Sequence, residues 1–234
     1  MPQRGSEREA ALGNPIDGVV FDLDGTLVAN MEIHAEAFAR FVERHRLRPL
    51  DAGARGRLDG KRNRDIFPEL FGRELTEAEL HAYASEKEAL YRELSRGRLT
   101  PLRGLGRLLD RLAARSIPVA LATSAPADNV RHTLSELGLD SRLARVVRSD
   151  EVPEGKPHPD VFLAAARLIR ADAARCLAFE DSPSGVLAAR AAGMTCVALL
   201  TSISADVFAA HGAVPHHAVI DFDAFLAGPG AWLA

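Results

Sequence analysis

Phe21-Asp22-Leu23-Asp24-Gly25-Thr26 places two carboxylates two residues apart, directly behind the apolar run Gly18-Val19-Val20, where a short buried strand should end. Side chains alternate along an extended chain, so Asp22 and Asp24 can share one environment, and Gly25 lets the backbone turn and approach a ligand closely. Carboxylates this near each other repel unless a cation or a shared proton relieves them. The pattern therefore predicts a divalent metal, a raised pKa on one partner, or both. The same residues also spell a common strand-end Asp-Gly turn, so the motif needs support from elsewhere in the chain.

The bulk properties limit what that support can be. A chain of 234 residues, 47% of them hydrophobic, can bury a sizeable core as one large domain or as a domain with a smaller insert. Its net charge of -3, from 29 basic and 32 acidic residues, argues against a nucleic-acid partner, which would call for a strong basic excess. Lys61, Lys87 and Lys156 are the only lysines. No run reaches the roughly 18 apolar residues that a membrane span requires. Residues 1–14 are polar, lack an apolar signal core and are expected to be disordered. The sequence thus predicts a soluble, cytoplasmic protein with no membrane partner, and a monomer by default. Cys176 and Cys196 each open an apolar run and read as small buried hydrophobes.

Short apolar runs alternate with amphipathic stretches over most of the chain. Strands are predicted at 18–22, 118–123, 145–148, 176–180, 195–200 and 218–221, and helices at 104–115, 128–137, 159–169 and 184–192. Strands separated by helices imply right-handed crossovers and a parallel sheet covered on both faces. Ligands then bind beyond the carboxyl ends of the strands, where Asp22, Thr123 and Glu180-Asp181 all fall. Residues 31–97 break the alternation with helical patterns alone: 31–47, a short piece near 50–58, 64–71 and 76–95. Thr76 and Glu79 have capping-box spacing. Such a stretch is too long for a connecting loop and is expected to pack as a small domain of its own, with hinges near 27–30 and 98–103.

Three further segments join the first: Ala122-Thr123-Ser124, Gly155-Lys156-Pro157-His158-Pro159-Asp160 and Phe179-Glu180-Asp181-Ser182. In order and spacing the four motifs resemble those of the haloacid dehalogenase superfamily, in its branch of β-phosphoglucomutase-like proteins and sugar phosphatases, and the likeness runs from about residue 16 onward. The resemblance implies a Rossmann-like α/β core, 15–30 plus 98–234, with an inserted helical cap, 31–97. It also implies a Mg²⁺-dependent phosphatase acting on a small phosphorylated metabolite.

In that family the first Asp of the first motif attacks phosphorus, which makes Asp22 the expected nucleophile, ionised at neutral pH. Asp24 would protonate the leaving oxygen and then deprotonate the attacking water, tasks that suit a carboxyl whose pKa its neighbour raises. Mg²⁺ takes oxygen ligands, here Asp22, the Asp24 carbonyl and Asp181, with Glu180 directly or through water. Thr123 would offer a hydroxyl, and Lys156 a positive charge, to the phosphoryl oxygens. Ser124 belongs to the same phosphate-binding segment. Lys61, Arg62 and Asn63 fall where family caps often recognise substrate, and His34 where a site-facing His is common.

Each residue has a plainer reading. Lys156 could be a solvated loop residue, Thr123-Ser124 a cap for the next helix, Glu180-Asp181-Ser182 another cap, and the basic cluster and His34 helix surface. Among activities, a dehalogenase is disfavoured because that branch lacks the second acidic residue, here Asp24, and a membrane ATPase would need spans. The serious competitor is a sugar-phosphate mutase. Mutases of this type often carry Lys-Asn shortly after the second motif, whereas Ala125-Pro126-Ala127 stands here, which favours hydrolysis. A non-catalytic binding module should have lost one of Asp22, Asp24, Lys156 or Asp181.

Overall fold

The computed structural model describes residues 16–48 and 60–233. The expected piece near 50–58 and the N-terminus 1–14 lie outside the described residues. Six strands, β1 (Gly18–Phe21), β2 (Val119–Thr123), β3 (Val146–Arg148), β4 (Cys176–Glu180), β5 (Thr195–Leu199) and β6 (His217–Val219), form one sheet in the order β3-β2-β1-β4-β5-β6. Every pairing is parallel. The chain runs outward from β1 in one direction through β2 and β3, then returns to its other side with β4. This is a topological switch point at the centre of the sheet, where ligands of open α/β sheets bind.

The central strands are mostly apolar because both faces are covered, whereas the edge strands β3 and β6 carry Arg148 and His217 and are only partly buried. Val19, Phe21, Leu177 and Phe179 point to one face, against α4 (Leu105–Ala114), α5 (Ala127–Leu137) and α9 (Phe222–Ala227). Val20, Ala178, Cys196 and Ala198 point to the other, against α6 (Asp160–Leu168), α7 (Pro183–Ala191) and α8 (Ala205–Ala210). Phe21 and Phe179, opposite each other in the β1/β4 register, stack with centroids 5.2 Å apart, and Phe222 meets Phe179 edge-on at 5.1 Å. Cys176 and Cys196 are buried and free on neighbouring strands. Burial pushes the Cys176 thiol up to about 12 and raises the Cys196 thiol as well.

Between β1 and α4 the described residues form α1 (Met31–Arg44), α2 (Asn63–Phe71) and α3 (Glu77–Ser95). Their shared core is built on Phe41, Phe67, Leu70, Leu90 and Tyr91. The Thr76–Glu79 capping box predicted for α3 is formed. α1 ends at Arg44, short of residue 47, because Arg46 adopts a left-handed φ of 53° and the Leu47 N–H turns back to the Val42 carbonyl. The two segments joining these helices to the rest lie side by side. Val28 bridges both Asp24 and Pro101, and the Leu102 N–H donates to the Leu27 carbonyl at 2.7 Å.

β6 stops at Val219 instead of reaching residue 221. Asp221 is spent differently, accepting the Ala224 N–H at 2.7 Å as the N-cap of α9. α8 and α9 have six residues each, too few for helical periodicity to announce them. Among the described residues, no helix is long and apolar enough to cross a membrane. Phe179 is fully buried at the centre of the aromatic stack. Phe179→Ala is expected to lower stability by about 3–5 kcal/mol in urea unfolding, with a smaller loss showing that the stack collapses around the gap.

Candidate active site

Two neighbouring strands deliver the acidic residues. Asp22 follows β1, its N–H still bonded to the Phe179 carbonyl at 2.9 Å, while Glu180 ends β4 and Asp181 follows it. The loop before α6 brings in Lys156, whose Nζ donates to Asp22 Oδ1 and Glu180 Oε1, each at 2.5 Å. All three side chains are buried. The other oxygen of Glu180 accepts the N–H groups of Asp181 and Ser182, at 2.9 and 3.0 Å, and the Ser182 hydroxyl at 3.0 Å. Glu180 thus fixes both the lysine and the turn that carries Asp181. Ser182 also caps α7 by accepting the Gly185 N–H at 3.1 Å, so the plainer reading of that segment holds alongside the functional one.

Two glycines are dictated by this crowding. Gly25 has a φ of +78°, and a Cβ there would collide with the Asp181 carboxylate. A Cβ at Gly185 would collide with Glu180.

The protonation pattern differs from expectation. Burial, with help from Glu180 and Asp24, pushes the Asp22 carboxyl up to about 8 against the opposing pull of Lys156. For Asp24, burial raises the pKa, but His34, Asn30 and Lys87 together outweigh it and hold the group below its ordinary value. The raised partner of the carboxylate pair is therefore Asp22. The reason is geometric: Asp22 shares its lysine with Glu180, whereas Asp24 faces donors alone. Lys156 is raised, the carboxylates of Asp22 and Glu180 overcoming the burial that would lower it.

Asp22, Asp24, Thr123, Ser124 and Asp181 line one cavity of about 390 Å³, together with His34, Lys61 and Asn63. The Thr123 hydroxyl oxygen accepts the Ala125 N–H at 3.0 Å. Ser124 Oγ donates to the Gly60 carbonyl at 2.7 Å, tying the start of α2 to the end of β2. His34 stands with Nε2 3.5 Å from Asp24 Oδ2 and Nδ1 3.2 Å from Lys87 Nζ, and its ring stacks on Tyr91. It faces the site. Arg62 does not line the cavity: its guanidinium pairs with Asp65 at 2.8 Å and reaches toward the Pro153 carbonyl and Glu154.

Several site-lining or site-holding residues lie outside the sequence-based set. Asn30 accepts the Gly25 N–H at 2.9 Å and donates to Asp24 Oδ1 at 2.7 Å, while standing 2.6 Å from Tyr91 Oη. Glu88 takes Lys87 at 3.0 Å and Asn63 at 2.8 Å on one oxygen and Asn129 at 2.6 Å on the other. A buried Asn at a helix start and a Lys-Glu pair on a long helix give no periodic signal that separates them from ordinary surface residues. Lys87 and Tyr91 could be singled out only as members of the last helix of the insert.

Asp22, Glu180 and Asp181 each offer an oxygen, all within 4.8 Å of one another and buried. A hard divalent cation fits this all-oxygen set, and it would offset the burial that, ahead of the neighbouring carboxylates, raises Asp22. Glu180 is the least available of the three, since both its oxygens already accept protein donors. The Asp24 carboxyl turns away to Asn30 and His34.

Carboxylates and a buried lysine gathered at the switch point of a parallel sheet could hold a cation and an anionic group side by side. The model of the haloacid dehalogenase-like hydrolase family matches residues 16–193, and the chain belongs to that family. A validoxylamine A 7'-phosphate phosphatase of Streptomyces hygroscopicus subsp. limoneus is 31% identical over 195 residues, covering 81% of this chain and 88% of the relative. The β-phosphoglucomutase of Bacillus subtilis is 33% identical over 187 residues, covering 76% and 81%. The crystal structure of a family IA hydrolase from Entamoeba histolytica superposes with a TM-score of 0.79 at 26% identity, covering 89% of this chain and 94% of that one.

The elevated Asp22 pKa has a consequence for the metal-free protein. Between its ordinary 3.8 and about 8, the native state holds a proton that the unfolded chain has lost. This group's contribution to stability is therefore present at low pH and lost as pH rises through that window. In chelator, wild-type stability is expected to fall more steeply than that of Asp22→Asn across the window. Parallel profiles in denaturant titrations would show that Asp22 is ionised throughout.

Proposed function

We propose that the protein is a Mg²⁺-dependent phosphatase that hydrolyses small phosphomonoesters, sugar phosphates among them, through an aspartyl-phosphate on Asp22. The observation that carries this reading is Lys156 held between Asp22 and Glu180, with Asp22, Asp181 and Thr123 lining one cavity. An Asp22 oxygen attacks phosphorus, the bond to the alcohol oxygen breaks, and Asp24 gives that oxygen a proton. Water then attacks the acyl phosphate, Asp24 takes its proton, and phosphate leaves with Asp22 regenerated. The accepting half suits the lowered pKa of Asp24. The donating half asks for a protonated carboxyl, and hence for His34 and Lys87, carried by α1 and α3, to shift when substrate enters.

Asp22, Asp181 and the Asp24 carbonyl would hold the cation, with Glu180 behind them. When bound, it neutralises charge on the phosphoryl oxygens and favours ionised Asp22. Lys156 and the Thr123 hydroxyl stabilise the charge spread over those oxygens, Ser124 steadies the adjoining loop, and Asn63 and Lys61 face the alcohol. Residues 31–97 serve as a cap hinged at the paired linker segments.

A sugar-phosphate mutase is the second reading, favoured by Lys61 and Lys87 on the cavity and by the likeness to the Bacillus subtilis mutase. Phosphate release from a panel of phosphomonoesters is expected to require Mg²⁺ and to disappear in Asp22→Asn. Lys156→Ala should lose on the order of 100-fold or more in rate. Isomerisation of β-glucose 1-phosphate without release would establish the mutase instead.

A further inference from the structure

The cavity continues away from Asp22 along an apolar wall. α1 lines it with Met31, Ala35, Phe38 and Val42, one face of the helix at three- and four-residue spacing, and α2 adds Ile66 and Leu70. Phe38 and Val42 lie one and two turns beyond His34, about 6 and 12 Å along the helix axis. An ester whose phosphorus sits on Asp22 must direct its alcohol into this space, since the phosphoryl end and the wall belong to one cavity.

Lys87, Glu88 and Asn129 beside the wall are already committed to protein partners, while Lys61 and Glu43 also line the cavity. Lys87 Nζ lies 3.0 Å from Glu88 and 3.2 Å from His34 Nδ1, and it stands 4.3 Å from the centre of the Phe38 ring. Both Glu88 oxygens accept protein donors, and the Asn129 carbonyl oxygen accepts Arg92 at 2.7 Å. A polyhydroxy alcohol would trade water for few partners there, and burying its hydroxyls unpaired is costly. A methylene in the same place gains from leaving water.

We propose that the preferred substrates are phosphomonoesters whose alcohol is apolar beyond its first carbons, an alkyl or aryl body in place of a fully hydroxylated one, with Phe38 and Val42 as specificity-determining residues. This inference rests on the phosphatase reading above. The test compares kcat/KM, with Mg²⁺ present, for methyl, butyl and hexyl phosphate, which share a primary leaving oxygen, and for glycerol 1-phosphate and glucose 6-phosphate. The expected result is a rise of about three- to fourfold per buried methylene, with hexyl phosphate ahead of both polyol esters. Phe38→Ser, and the nearly isosteric Val42→Thr should the first fail to fold, are expected to flatten that rise.

A flat or falling alkyl series, with the polyol esters ahead, overturns the inference and leaves the phosphatase reading standing. Calorimetric binding of methyl-, butyl- and hexylphosphonate, which cannot be hydrolysed, separates the remaining outcomes. Affinity that climbs with chain length while no ester is turned over supports the apolar pocket and overturns the phosphatase reading, whereas level affinity without turnover overturns both.

Discussion

An ammonium group buried between two carboxylates is tolerable only when every partner is in place, because removing any one leaves an uncompensated charge away from water. Lys156 imposes that condition on this fold. Asp22 must stand at the end of β1, Glu180 at the end of β4, and the loop before α6 must come in from outside the sheet to set the lysine between them. β1 and β4 are neighbours at the switch point, so the fixed spacing of paired strands sets the distance between the carboxylates. The Phe21–Phe179 stack lies one residue before each of them and holds that spacing from within the core. Packing and chemistry are thereby coupled through two adjacent positions on each strand.

Much of this arrangement was legible in the sequence. Strand runs bounded by turn residues located all six strands to within a few residues, and the motif at the end of β1 marked where the acidic edge would be. The helix α3 could be started correctly from Thr76 and Glu79 because a capping box is a local interaction, complete within four residues. What could not be read depends on contacts between distant segments. Asn30 looks like an ordinary residue before a helix until Tyr91, 61 residues away, comes within hydrogen-bonding reach. Glu88 looks like exposed helix surface until Asn63 and Asn129 close on it from two other helices.

The protonation states show the same limit in another form. Spacing alone makes Asp22 and Asp24 equivalent, and chemistry then assigns the higher pKa by role. The fold breaks the symmetry by what surrounds each group: Asp22 has another carboxylate sharing its lysine, while Asp24 has an amide, an imidazole and an ammonium. Arg62 illustrates the converse. A basic residue in a region reserved for substrate recognition is claimed by Asp65, three residues along its own helix, before any ligand is considered.

The bridge at Val28 gives the chain an unusual property of layout. The segment leaving β1 and the segment arriving at α4 are paired side by side, so the intervening helices begin and end at nearly the same point in space. Among the described residues they leave and rejoin the sheet domain at one place. An excursion of that kind can be replaced by one of different length or shape without re-routing any strand, provided the new piece also starts and ends at adjacent positions. The acidic edge could thus remain unchanged while the wall facing it is exchanged wholesale, which separates the inheritance of the reaction from the inheritance of what it acts on.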